Sequence, residues 1–212
     1  MKISSLILSL ALSSCNGGNT PNERITPDNT ALLMQENLEV ATFAGGCFWC
    51  TEAVFLEING VKEIKPGYIG GKTENPTYDE VCSGTTGHAE AIRIVFDPKK
   101  VSYGELLEIF FATHDPTTLN RQGNDVGTQY RSEIFYHSLQ QKEAAENYIA
   151  QLDAAGTFPK RIVTKVSEAT VFYVAEDYHL NYYNRNKNQG YCTYVITPKV
   201  EKVRKVFKDK LK

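Results

Sequence analysis

Cys47 and Cys50 form a C-x-x-C pair around Phe48 and Trp49, directly after the glycines Gly45 and Gly46. A lone cysteine in an apolar run reads as inert filler, because free thiols are among the most buried side chains. A pair on a glycine turn, enclosing the chain's only tryptophan, points to nucleophilic or redox chemistry. The two glycines make a tight strand-to-helix turn, so Cys47 falls at or near a helix N-terminus. Unpaired backbone N–H groups and the positive end of the helix dipole there favour a thiolate. A thiol with an ordinary pKa near 8.5 is only roughly 3% ionised at neutral pH, and a drop of about two units, roughly 2.7 kcal/mol, makes most of it thiolate. The pattern predicts a reactive Cys47.

The elements around the pair follow from periodicity. Residues 38–43 alternate as a half-buried strand, and residues 51–58 carry Val54, Phe55 and Ile58 at helical spacing. Residues 61–65 read as a strand and 66–71, with Pro66 and three glycines, as a turn-rich loop. Asn75-Pro76 starts a short helix that ends at Ser83-Gly84, and residues 88–96 alternate as a strand. Ser102 and Glu105 form a capping box ahead of an amphipathic helix bearing Leu106, Leu107, Phe110 and Phe111. Residues 113–128 make a long polar loop, a length usually kept for function. Next come a strand over 131–137, a helix capped by Ser138 and Gln141 and stopped by Gly156, and a strand over 161–166. Residues 176–183 look helical, 184–191 irregular, and Pro198 opens a last amphipathic helix. Interleaved strands and helices of this kind imply a mixed α/β or α+β sandwich.

A chain of 212 residues with a net charge of −2 can bury one substantial core and lacks the basic block that nucleic acid requires. The basic C-terminal run alternates with Val203, Val206, Phe207 and Leu211, as a solvated amphipathic helix does. Residues 1–14 read as a leader: Met1-Lys2 is a short positive region, and residues 3–12 are apolar but too short to span a bilayer. Leu12-Ser13-Ser14-Cys15 resembles the lipobox of bacterial lipoprotein signal peptides, which implies cleavage before Cys15 and lipid attachment there. An ordinary secretory leader with an incidental cysteine is the alternative, and either sends the protein to the cell envelope or beyond. Residues 15–37 then form a lipidated cysteine and flexible tether, leaving 38–212 as the folded domain. Nothing in the composition calls for an obligate oligomer, so a monomer is expected. Four cysteines remain after Cys15, and structural disulfides are the minority reading for a domain of this size.

Four separate stretches, taken in order, resemble the A-type peptide methionine sulfoxide reductases. They are Gly45-Gly46-Cys47-Phe48-Trp49, then residues 81–90 (VCSGTTGHAE), residues 121–131 (RQGNDVGTQYR), and Gly190-Tyr191-Cys192. The resemblance implies a two-layer α+β sandwich with a ferredoxin-like βαβ core and a mixed sheet. It implies reduction of methionine S-sulfoxide, free or in proteins, without metal, flavin or nicotinamide, using an external dithiol such as thioredoxin. Enzymatic reversal of this lesion does proceed one epimer per enzyme.

Residue by residue, the resemblance makes Cys47 the nucleophile and Glu90 the acid. It makes Tyr78 and Tyr130 the phenols that hold the sulfoxide oxygen, and Phe48 and Trp49 the pocket for the methyl group. Asp125 becomes a carboxylate that holds the substrate or the site's hydrogen bonds. Chemistry agrees with these roles: a sulfoxide sulfur becomes electrophilic once its oxygen is protonated, and a buried glutamic acid can supply that proton. Pattern alone gives plainer readings. Glu90 could be a solvent-face residue of its strand, the tyrosines and Phe48 and Trp49 could be packing, and Asp125 could be a turn former.

A second thiol must resolve the sulfenic acid. Cys192 matches the family's resolving position and is slightly favoured, since Gly-rich surroundings would let it approach Cys47. Cys50 stands where many members have glycine and could close its own disulfide, while Cys82 reads as buried and inert. The four histidines are dispersed, so no zinc site is expected, and His114 is read as a structural hydrogen-bonding group. The rival is a thioredoxin-like dithiol oxidoreductase built on Cys47 and Cys50, although the tryptophan lies inside the pair rather than ahead of it. A lipid-anchored binding module would instead use the cysteines structurally.

Overall fold

A computed structural model describes residues 37–212. The predicted leader, Cys15 and nearly all of the tether lie outside the described residues. Six strands form one mixed sheet in the order β7-β6-β1-β3-β2-β8. They are β1 (Glu39–Gly45), β2 (Val61–Ile69), β3 (Ala89–Phe96), β6 (Ser132–Tyr136), β7 (Lys165–Glu168) and β8 (Tyr173–Val174). Between β3 and β6 a two-residue pair, β4 (Arg121–Gln122) and β5 (Asp125–Val126), forms a separate small hairpin. The helices are α1 (Phe48–Leu56), α2 (Tyr78–Cys82), α3 (Tyr103–Thr113), α4 (Leu139–Ala154), α5 (Tyr182–Arg185) and α6 (Thr197–Val206).

The inner four strands run β6-β1-β3-β2 with every neighbour antiparallel, and α1 and α3 connect them as β1-α1-β2-β3-α3-β6. That is the split βαβ arrangement of a ferredoxin-like core, as expected. β7 extends it in parallel to β6, and β8 adds two residues against β2. The sandwich is therefore α+β with a mixed sheet.

Alternation along β3 explains where the core sits. Ile92, Ile94 and Phe96 join the main cluster with Phe43, Phe55, Leu106 and Phe110. Ala89 and Ala91 face the other way, into a smaller cluster with Phe135 and Phe172. Both faces are covered, so all eight residues of β3 are buried. Gly45 at the end of β1 is required by close packing, since a Cβ there would stand 2.7 Å from Cε2 of Phe110.

Several local expectations hold. Ser102 Oγ accepts from the Glu105 N–H at 3.2 Å while Glu105 Oε2 accepts from the Ser102 N–H at 2.7 Å, the reciprocal box that starts α3. Ser138 caps α4, and Pro198 lies in the first turn of α6. Others shift. Pro66 and Gly67 do not leave the sheet, because β2 runs on to Ile69. Pro66 lacks an N–H, but its carbonyl accepts from the Ala175 N–H at 2.9 Å, and it lies on the side of β2 that meets only the short β8. The strand expected over 161–166 begins at Lys165, because Ile162 and Val163 bond to Asp153 and to the Pro116 carbonyl instead. The 113–128 loop contains the β4–β5 hairpin. Residues 176–183 are not one helix: a 3₁₀ turn (Asp177–His179) is broken from α5 by Asn181 at φ 52°.

Candidate active site

The central helix α1 has seven of its nine residues buried, Thr51 and Glu52 among them, so it packs inside the fold rather than along its surface. Cys47 is its N-cap residue, the position just before the first helical turn, and only Gly46 separates it from the end of β1. Gly46 makes the junction possible. Its φ is +92°, and a Cβ there would lie 2.5 Å from Cγ of Gln122.

Glu90 lies on β3 in the same alternation as Ile92 and Ile94, and it is 1% exposed. Its Oε2 accepts from the backbone N–H of Phe48 at 3.0 Å, the N–H next in sequence to Cys47. Burial raises its pKa to about 8, the Phe48 N–H opposes this, and the charges of Asp125 and Cys50 add to it. Glu90 is therefore a neutral acid at pH 7 and not a solvent-face carboxylate.

The cysteine pair behaves differently from the expectation for a helix-start thiolate. Burial pushes the Cys47 thiol well up, and its hydrogen bond to Cys50 and the nearby Glu90 push it further. Cys50 is instead drawn down to about 7, chiefly by the hydrogen bond from Cys47, against burial and with help from Lys199. The reason is geometric. The first N–H of α1 is taken by Glu90, and desolvation outweighs the dipole at the buried Cys47. The two sulfurs titrate as a pair, losing the first of their two protons near neutrality and keeping the second between them.

Tyr191 links this pair to Asp125. Its hydroxyl donates to Asp125 Oδ2 at 2.7 Å and lies 3.7 Å from Cys50 Sγ. It is also hydrogen-bonded to Cys47. Asp125 thus holds the site's hydrogen bonds, one of the two roles expected of it. Cys192 starts a π-helical turn (Cys192–Ile196) that runs into α6, and it is fully buried. The open, Gly-rich surroundings expected for it are not what the fold provides: burial keeps its thiol protonated, and the charge of Cys50 adds to this.

An aromatic wall stands beside the sulfurs. The ring of Phe48 lies 6.4 Å from Tyr78 at 17° and 4.9 Å from His179. Trp49 stacks on Tyr182 at 3.8 Å and 7°, and its Nε1–H donates to His179 Nδ1 at 3.0 Å. Burial lowers the His179 pKa to about 4, so the ring is neutral and carries its proton on Nε2. Glu176 ties the wall to β2, accepting from the Tyr68 hydroxyl at 2.8 Å and the Tyr78 N–H at 2.9 Å. The Tyr78 and Tyr130 phenols are partly exposed, and burial with the charge of Glu90 keeps both protonated as donors. The fold brings all the expected residues together: Cys47, Phe48, Trp49, Cys50, Tyr78, Glu90, Asp125, Tyr130 and Cys192. Cys82 is not the buried residue expected. It is half-exposed and hydrogen-bonded to Tyr78.

Sequence reasoning missed Tyr68, Glu176, His179, Tyr182 and Tyr191 as site residues. One signal was available: six of the twelve tyrosines fall within residues 173–194, which is dense for a segment without periodicity. His114 does make structural bonds, to the Phe110 carbonyl and Ser132 Oγ at 2.7 and 2.8 Å.

The sequence profile of the family described as "Peptide methionine sulfoxide reductase" matches residues 39–211. Among characterised relatives, "Peptide methionine sulfoxide reductase MsrA" of Deinococcus radiodurans is 52% identical over 199 residues, covering 90% of this chain and 97% of the relative. That of Picrophilus torridus is 59% identical over 169 residues, covering 80% and 95%. Among solved structures, Mxr1 from Saccharomyces cerevisiae in reduced form aligns with a TM-score of 0.67 at 33% identity, over 73% of this chain and 89% of that one. Methionine sulfoxide reductase A of Corynebacterium diphtheriae aligns at 0.64 and 38% identity, over 72% and 76%. Similarity of this extent, spread over nearly the whole described domain, settles the family: the chain belongs to the peptide methionine sulfoxide reductases and reduces methionine sulfoxide by thiol chemistry.

Proposed function

We propose that the chain reduces the S epimer of methionine sulfoxide, free or in oxidised proteins, through a sulfenic acid on Cys47 that Cys50 resolves. The observation that carries this reading is the bond from the Phe48 N–H to the buried Glu90, which sets a neutral carboxylic acid beside the nucleophile. The sulfoxide oxygen sits among Glu90, Tyr78 and Tyr130, and its methyl group meets Phe48 and Trp49. Glu90 protonates the oxygen as Cys47 sulfur attacks the substrate sulfur. The sulfur–oxygen bond of the substrate breaks, and the hydroxyl passes to Cys47 as a sulfenic acid. Methionine leaves, and the Glu90 carboxylate takes a proton back from solvent, the one released when the pair first ionised.

The Cys50 thiol then attacks the Cys47 sulfenic acid, forming a disulfide and releasing water. The hydrogen bond between the two sulfurs favours Cys50 over Cys192 for this step. A thioredoxin or thioredoxin-like dithiol returns the pair to the reduced state by exchange, the two-electron donor that such a disulfide requires. The lipobox-like Leu12-Ser13-Ser14-Cys15 supports the further reading that the enzyme is a monomer held by a lipid at a membrane of the cell envelope, where it repairs exported proteins.

Trapping tests the chemistry. Cys50→Ser treated with one equivalent of a methionine sulfoxide peptide should take a sulfenic-acid-selective label at Cys47, read by peptide mass mapping. Labelling at another cysteine, or none with turnover intact, would contradict the assignment. The anchor is tested by the mass of the mature N-terminal peptide: an unmodified residue 1 in the cytosolic fraction would overturn it.

A further inference from the structure

Glu52 is a buried carboxylate that the proposed chemistry does not use. It lies on α1, is 1% exposed, and its burial raises its pKa to about 7. A carboxylate kept in such a place costs stability unless its oxygens are occupied. Its Oε1 accepts from the Asn181 N–H at 2.8 Å, while its Oε2 is buried without a hydrogen-bond partner. Asn181, in the left-handed conformation, is the residue from which α5 starts, and α5 has no side-chain cap of its own.

Glu52 and Trp49 are three residues apart on α1, so they share a face of the helix. Together they hold two adjacent residues at the start of α5. Glu52 takes the backbone N–H of Asn181, while Trp49 stacks on the ring of Tyr182 at 3.8 Å. Trp49 is also fixed by its bond to His179, and the His179 ring lies 4.9 Å from Phe48 and 4.5 Å from Tyr78. A shift of Asn181 and Tyr182 would release Trp49 and loosen the wall that meets the substrate.

We propose that Glu52 is a positioning residue for substrate binding: as acceptor for the Asn181 N–H, it sets the Trp49–Tyr182 stack that forms one side of the pocket. This rests on the reading of Phe48 and Trp49 as the substrate pocket. The test compares Glu52→Gln, which keeps an acceptor at full reach, with Glu52→Asp, which keeps the charge but withdraws the acceptor by one methylene. Because Trp49 is the chain's only tryptophan, its emission reports the stack directly and without substrate.

The Asp variant should shift the Trp49 emission and raise KM for a methionine sulfoxide peptide about tenfold, with kcat within about threefold of the parent, as expected when binding alone is lost. The Gln variant should keep both emission and KM close to the parent. A native emission in the Asp variant overturns the proposal, and so does a Gln effect as large as the Asp effect, which would assign the role to charge. Failure of the pocket reading is distinguishable: emission would shift in the Asp variant while KM stayed native.

Discussion

The backbone N–H of Phe48 donates to Glu90 Oε2 at 3.0 Å, and this one bond joins the helix that carries the nucleophile to the strand that carries the acid. It also decides which groups are charged. The helix-start N–H that could have stabilised a Cys47 thiolate serves the carboxyl instead, and the pair shares its proton between Cys47 and Cys50.

The rate should therefore follow two ionisations in opposite directions. As the pH rises through about 7 the cysteine pair loses its first proton and kcat/KM increases. As it rises through about 8 Glu90 loses the proton it must donate, and kcat/KM falls. Glu90→Gln should lower kcat by about 10²- to 10⁴-fold and remove the alkaline limb. A steady-state pH profile of both proteins checks this.

Stability should carry the same signature. The ordinary pKa of Glu90 is 4.5 and its folded value about 8, so between these the folded chain holds a proton that the unfolded chain has lost. Stability from this group is complete below pH 4.5 and is lost as the pH rises to about 8, by at most about 5 kcal/mol. Urea midpoints measured across that window should fall more steeply in the parent than in Glu90→Gln.

Disulfide mapping separates the two candidates for resolution. After one equivalent of sulfoxide without reductant, the expected product is Cys47–Cys50. Cys50→Ser should lose about tenfold or more of its steady-state turnover while keeping a single turnover, and Cys192→Ser should change little. A Cys47–Cys192 bond in the parent would show that the π-turn opens during the cycle.

Tyr191→Phe removes the hydroxyl that bridges Asp125 and the sulfurs. Turned from Asp125 to the sulfurs, the one proton of that hydroxyl favours their thiolates, so its loss should move the titration of the pair upward. Ultraviolet thiolate absorbance against pH reads the shift directly. An unchanged titration would mean that the hydroxyl serves Asp125 alone.

Much of this was legible in the sequence, and the exceptions have physical causes. The reciprocal box of Ser102 and Glu105 was readable because capping is local. Even the inward aim of Glu90 was available: it shares the alternation of Ile92, Ile94 and Phe96, the core side of β3. The segment from Glu176 to Ile196 was not readable, because a 3₁₀ turn, a left-handed Asn181 and a π-turn leave no repeating apolar pattern. Nor was the charge state of Cys47. It depends on burial and on Glu90, which lies on another strand and is far from Cys47 in sequence.

The most direct test of the central claim is epimer-resolved reduction of a methionine sulfoxide peptide, with dithiothreitol as donor. The account predicts consumption of the S epimer alone, abolished in Cys47→Ser. Consumption of the R epimer, or turnover that survives Cys47→Ser, would contradict it.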